Sequence, residues 1–336
     1  MDKRILAVLE PQEEYAELFL RFITEKKDNV FDIRLFTQAE TLLEFKKEHK
    51  IAVLLLSEHS EEKRVEEGIP LVIRLSEERC VQEMEKRPVI YKFQSGEQIL
   101  KEVLEIYLEQ GEDTDIRYLS NGNRHCRKIG VFSPFGGSGK TSMAAILGNL
   151  LGKEQKVLVL NLEPFYKEYS WLENRETDGI SQLFYFFKQG RGDLKMKVQS
   201  LVETVGNMDY LRGVSNFLDL QKISAEEMQN FLCAVEENTE YDVLIFDISF
   251  LSEGLLALLR LCDVVYQPVD GRKKGDLWKK NFTKSGQKLL EKKWKQVELL
   301  PEELGGEYGN ITYLSQGGWA QRIKKTCVEF QKDDRR

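Results

Sequence analysis

The stretch "KIGVFSPFGGSGKTSMAAILGNLLGKE", residues 128–154, restricts what this chain can fold into more than any other. A short apolar run ends in a glycine-rich turn, the turn opens directly onto helically spaced apolar residues, and "KVLVLNLEP" then supplies another apolar run. Strand, turn, helix and strand in that order make a βαβ unit. Gly136, Gly137 and Gly139 permit positive φ and close backbone approach, so that successive N–H groups can point into an anion-binding hollow at a helix start. The helix dipole adds to that field. Lys140 has the reach for the β- and γ-phosphates of a nucleotide, and the Thr141 hydroxyl is placed to ligate Mg²⁺. Gly136, Gly137, Ser138, Gly139, Lys140, Thr141 and Ser142 are therefore assigned to a phosphate cradle. An accidental glycine turn would also have to supply Gly-Lys-Thr and both flanking elements.

A chain of 336 residues exceeds the ~100–200 of one domain, so two are expected. Residues 4–9 (RILAVL), 51–56 (IAVLLL), 71–75 (LVIRL) and 89–93 (VIYKF) read as strands covered on both faces, and "VFDIRLFT" as a less regular one. Between them "EEYAELFLRFIT" and "AETLLEFKKEH" carry helical apolar spacing. Alternating β and α elements predict an open parallel α/β unit. Residues 109–128 are polar and lose periodicity, which sets expected boundaries of 1–110, a linker at 111–127 and 128–336. In the second part, Ser224 and Glu227 have capping-box spacing ahead of a helix. The runs "YDVLIFDIS", "CDVVYQPV" and a weaker "NITYLSQ" read as later strands. The fold class expected is α/β: two open doubly wound parallel-sheet domains.

Composition narrows the function classes. Hydrophobic residues at 41% and charged residues at 31% exclude a disordered or fibrous chain, and a net charge of −7 gives no global attraction for nucleic acid. Five widely spaced cysteines suit reduced thiols rather than a disulfide framework. His49, His59 and His125 lack metal-ligand spacing and are expected in solvent. The first apolar run is too short for a signal peptide, and no run reaches the ~18 residues of a membrane span. A cytoplasmic protein is expected, with any membrane contact peripheral.

The loop "FGGSGKT" resembles that of the MinD/ParA family of P-loop ATPases, KGGxGK[ST], with Phe135 where the family has its signature lysine. Two further segments extend the likeness over most of 128–330. "VLVLNLEP" is similar to the family's second strand, with Asn161 and Glu163 at the two acidic places; "YDVLIFD" matches the next acidic strand. The resemblance implies ATP and Mg²⁺ as cofactors, Asp247 with Thr141 at the metal, and Glu163 and Lys140 as catalytic residues, Glu163 orienting the attacking water. A loop or helix-start acid is the competing reading of Glu163. In the family the signature lysine reaches a partner's phosphates across an ATP-sandwiched dimer. Phe135 implies slow turnover with binding retained. "LPEELG" at 300–305 resembles a late loop near the nucleotide base.

Residues 1–108 resemble a response-regulator receiver whose acids are mostly gone: Glu10 alone remains of the acidic pair, Ser57 stands at the phospho-acceptor place, and Lys92 fits the fifth-strand lysine. A pseudo-receiver ahead of a MinD/ParA-type ATPase is the arrangement of the TadZ/CpaE family. That resemblance implies an ATP-binding localisation factor for tight-adherence (Flp) pilus assembly, a nucleotide-dependent dimeric switch with weak or slow hydrolysis. Expected partners are a second copy, pilus-assembly proteins and a polar or peripheral membrane receptor.

Residues 272–295 carry ten Lys/Arg against two acids, with Trp278, Phe282 and Leu289 at helical spacing. A surface helix is the favoured reading. Engagement of DNA, as in ParA-like partition ATPases, or of anionic lipid is the rival. Trp319, Ile323 and Phe330 form a final helical stripe, expected to pack on the domain. A non-hydrolysing nucleotide-binding scaffold is the third reading.

Overall fold

The computed structural model describes residues 4–25, 30–58, 60, 63–78, 83–84, 87–110, 126–164, 171–172, 179–190, 192–214, 216–269, 293–300 and 311–329. The chain forms two compact units, Met1–Asp115 and Ile116–Arg336. Most of the expected linker, together with His59, Cys80 and His125, lies outside the described residues.

The first unit contains β1 (Arg4–Leu9), α1 (Glu13–Glu25), β2 (Phe31–Phe36), α2 (Ala39–Glu48), β3 (Ile51–Ser57), β4 (Leu71–Ser76), β5 (Glu83–Met84), β6 (Arg87–Tyr91) and α3 (Gly96–Gln110). Its sheet runs β2-β1-β3-β4-β6-β5, parallel except for the antiparallel edge strand β5. The five parallel strands have the flavodoxin-like 2-1-3-4-5 order. Side chains alternate across the strands. Ala7, Leu9, Leu54 and Leu56 pack with Leu42 of α2. The alternate set, Leu6, Val8, Val53 and Leu55, is equally buried, as are Phe19 of α1 and Val103 of α3.

The second unit contains β7 (Arg127–Phe132), α4 (Lys140–Leu151), β8 (Val157–Leu162), α5 (Gly179–Gln189), α6 (Leu194–Leu201), β9 (Glu203–Val205), β10 (Met208–Leu211), α7 (Phe217–Gln221), α8 (Ala225–Asn238), β11 (Val243–Ile248), α9 (Glu253–Leu261), β12 (Val264–Val269), β13 (Trp294–Glu298), α10 (Ile311–Leu314) and α11 (Gly318–Ile323), the last running into a π-helical turn at Lys324–Glu329. The sheet order is β13-β12-β7-β11-β8-β10-β9, with only β9 antiparallel among these described strands. One face packs against α4, α10 and α11 through Ile129, Val131, Val159 and Ile245. The other packs against α5, α6, α8 and α9 through Phe132, Leu158, Leu160 and Phe246. The site strands β7, β8 and β11 are thus central and covered on both sides, which explains their continuous apolar sequences.

Two sequence expectations need correction. "NITYLSQ" is not a strand: Ile311 and Leu314, one turn apart in α10, are both buried in the core that α4 shares with the sheet. β13 already pairs with β12 at that side of the sheet, so the segment joins the helical layer instead. The basic run 272–295 also ends in β13 rather than in a helix, where Trp294 Nε1 donates to Gln267 Oε1 at 2.9 Å. Residues 270–292 lie outside the described residues.

The Ser224 capping box is formed: Ser224 Oγ accepts from Glu227 N at 3.1 Å, and Ser224 N donates to the Glu227 carboxylate at 2.9 Å. Ser224→Ala is expected to destabilise the second unit by about 1 kcal/mol, read as a lower urea midpoint with unchanged slope.

Candidate functional site

β7 ends at Phe132, and the chain turns through residues 133–139 into α4. Gly137 (φ 70°) and Gly139 (φ 84°) are both left-handed, a backbone state that any side chain would strain. A Cβ added at Gly136 or Gly137 would have no neighbouring atom within 4 Å, so the loop borders open space. Ser138 Oγ is buried and makes no hydrogen bond. Lys140 is buried, and its ammonium donates to the Phe135 carbonyl at 3.2 Å, folded back over its own loop. Ser142 is half-buried in the first turn of α4. The helix start concentrates unpaired N–H groups and positive dipole on this hollow.

The acid opposite is fixed by sheet register. Asp247 is the penultimate residue of β11 and is level with Val131 on one side and Asn161 on the other. It is fully buried, and its Oδ2 accepts from Thr141 Oγ1 at 2.6 Å. A hydroxyl and a carboxylate in contact beside an anion hollow are the hard oxygen donors that Mg²⁺ takes when phosphates and water complete its shell. Among the described residues no cluster of three or more His, Cys, Asp or Glu could hold a metal unaided. The residues present therefore fit a nucleoside triphosphate carrying its own divalent ion.

Asn161 departs from the expected acid by acting as a brace. Its Nδ2 donates to Tyr210 Oη at 2.9 Å, and its Oδ1 accepts from Glu163 N at 2.8 Å. Glu163 is buried just beyond the end of β8, two residues past the rung that pairs Asn161 with Asp247. The fold thus brings Thr141 and Asp247 together, with Lys140 beside Thr141 in the chain and held to the Phe135 carbonyl, and Glu163 at the end of the adjoining strand. Phe135 is 51% exposed. The 301–310 stretch and Phe330 lie outside the described residues.

One contributor was hidden in the sequence. Trp319 of α11 lies directly against the turn: a Cβ at Gly139 would fall 2.6 Å from its ring. Its Nε1 donates to the Leu300 carbonyl at 2.7 Å, and Asn149 of α4 donates to Ser315 Oγ at 2.7 Å. The apolar spacing of Trp319 and Ile323 indicated packing; only the tertiary contact reveals that the packing supports the phosphate turn.

In the first unit the equivalent strand ends carry a closed polar cluster. Glu10 follows β1 and Lys92 follows β6; both are fully buried, and their charged groups lie 3.0 Å apart. Lys92 Nζ also donates to Gln12 Oε1 at 2.8 Å and lies 4.8 Å from the Tyr15 ring centre. Gln12 N donates to the other Glu10 oxygen at 3.0 Å. These contacts offset the desolvation of a buried pair. Burial, and then the Glu10 charge, push the Tyr15 phenol up to about 12, so it stays protonated and donates to the Lys92 carbonyl at 2.9 Å. Ser57 ends β3, fully buried, and its hydroxyl makes no hydrogen bond.

No curated protein matches the chain significantly. Solved structures similar to it include cobyrinic acid a,c-diamide synthase from Mycobacterium smegmatis with bound ATP analogue and magnesium (17% identity, 52% of this chain, 71% of that chain, TM-score 0.39). Others are a putative plasmid partition protein from Borrelia burgdorferi B31 bound to AMPPNP (19%, 60%, 81%, 0.36) and a ParA family ATPase from Chlorobium tepidum TLS (15%, 61%, 94%, 0.39). Residues 2–108 match the family model for the TadZ-like receiver domain, a span reaching from β1 into α3. The amino-terminal unit of this chain is thus similar to the TadZ-like receiver domain.

Proposed function

We propose that this chain is an ATP-binding localisation factor for tight-adherence pilus assembly, acting at the cytoplasmic side as a nucleotide-dependent homodimeric switch. The observation that carries the nucleotide half is the Thr141–Asp247 contact at the start of α4, with Lys140 folded onto the Phe135 carbonyl of the same open turn at Gly136 and Gly137. The TadZ-like receiver domain supports the pilus assignment. Gly136 to Ser142 cradle the phosphates, Thr141 and Asp247 hold the metal, and Glu163 orients the water. When bound, Mg²⁺ neutralises charge on the phosphates. Lys140 leaves the Phe135 carbonyl to meet them. A polar or membrane-bound receptor and pilus-assembly proteins are the partners this reading calls for.

Lys140→Ala is expected to lose most ATP affinity in calorimetry, because the cation opposite the β- and γ-phosphates is gone. Undiminished binding refutes the cradle.

Hydrolysis is expected to be slow. Phe135 presents an apolar ring where charge would be delivered to a partner's phosphates, and loss of such a charge costs about 10³-fold or more. Single-turnover assays at saturating ATP and Mg²⁺ should find the wild type slow and Phe135→Lys faster. Fast wild-type turnover, unchanged when Arg272, Lys273 and Lys274 are all replaced by alanine, refutes both the slow switch and a substitute charge from that segment.

The receiver unit is not a phosphate acceptor in this reading: Ser57 lacks a carboxylate, and Lys92 is committed to Glu10. Mass spectrometry after acetyl phosphate treatment should detect no acid-labile adduct within residues 1–108; such an adduct contradicts the pseudo-receiver assignment.

A further inference from the structure

The receiver unit carries a groove of about 930 Å³ between α1 and the turn that follows β6. Its walls come from a stripe on α1 that is broader than sheet packing requires. Ala16 and Phe19 are buried, whereas Leu18, on the same helix, is 68% exposed. Tyr15, Leu18 and Phe22, spaced three and four apart, line the groove and share one face of α1. Opposite them Phe93 is 53% exposed, its ring edge-on to Tyr15 at 6.4 Å. A surface that leaves a leucine and a phenylalanine facing each other across an open channel marks a contact site.

The charges select the occupant. Glu13 and Glu14 line the rim, both exposed. The cation among the described lining residues, Lys92, is fully buried and paired with Glu10, so it presents no charge to a visitor. We infer that this groove docks an amphipathic helix of a partner protein, one whose apolar residues sit against Leu18, Phe22 and Phe93 while Lys or Arg beside them meets Glu13 and Glu14. Helix-in-groove recognition lays the apolar face of a helix into such a trough, and the acidic margin adds charge complementarity for a basic flank. An anionic membrane surface would be repelled by the same two carboxylates. The inference is independent of nucleotide binding, since it uses only the first unit.

The test uses the full chain and a labelled Leu/Lys peptide of about five helical turns, read by fluorescence anisotropy against its Leu/Glu counterpart. The Leu/Lys peptide is expected to bind and the Leu/Glu peptide to bind at least about tenfold more weakly. Leu18→Ser with Phe93→Ser, both at exposed positions, should weaken binding about tenfold or more. Glu13→Gln with Glu14→Gln should weaken it as well and flatten its salt dependence. Equal binding of the two peptides, affinity unchanged in both double variants, or preferential binding of phosphatidylserine vesicles over the Leu/Lys peptide would overturn the inference.

Discussion

The second unit depends on a turn that only glycine tolerates. Between β7 and α4 the backbone enters the left-handed region at Gly137 and again at Gly139, and Gly139 has Trp319 pressed against the side where a Cβ would stand. Conformation and space exclude a side chain at the same residue, so the turn is fixed from inside and outside. Because β7 lies between β12 and β11, and α4 is buried along most of its length, the turn also sets the height at which the helix start meets the strand ends. The Thr141 to Asp247 hydrogen bond follows from that placement: Thr141 is the second residue of α4, and Asp247 is one rung from the end of the neighbouring strand.

The two units solve a similar problem in opposite ways. Each gathers polar residues at the carboxyl ends of parallel strands, where open α/β sheets place their sites. In the second unit the turn stays open, and Lys140 is held by a single carbonyl contact, an interaction that an incoming anion can replace. In the first, Lys92 is surrounded by Glu10, Gln12 and the Tyr15 ring, with neither ion exposed. Removing one partner from such a pair leaves a buried charge uncompensated, at a cost of about 3–5 kcal/mol. Both ions of that cluster are shut away from solvent.

What could be read from the sequence was local or periodic. The strands at 4–9, 51–57, 71–76 and 243–248 are nearly continuous apolar runs, and the capping box at Ser224 is a four-residue pattern, so each declares itself without tertiary information. The candidate site residues were read from spacing around the glycine turn and, for Glu163 and Asp247, from acids at strand ends together with the family resemblance. The misread elements were those whose state depends on what is already paired. Ile311, Thr312 and Tyr313 are good strand formers, yet Ile311 and Leu314 meet the helical layer. Trp294 and Lys295 close a basic run by pairing with β12. Trp319 is 180 residues from Gly139, and nothing in its own neighbourhood announces the contact.

Under the proposed function, Phe135 is the residue at which binding and turnover would separate in this loop. Its carbonyl participates in the cradle by receiving Lys140, a backbone role that any residue fills. Its side chain is half-exposed and, in the proposed dimer, is the part that a partner's site would meet. In that proposal phosphate capture would draw on glycine N–H groups, the α4 dipole and Lys140, all within one chain. Charge stabilisation of phosphoryl transfer by the residue at 135 would draw on a second copy. An aromatic ring at that position leaves the first set intact and changes only the second. Under the proposed function, nucleotide occupancy would then persist long enough to define a state of the protein rather than a passing step of a reaction.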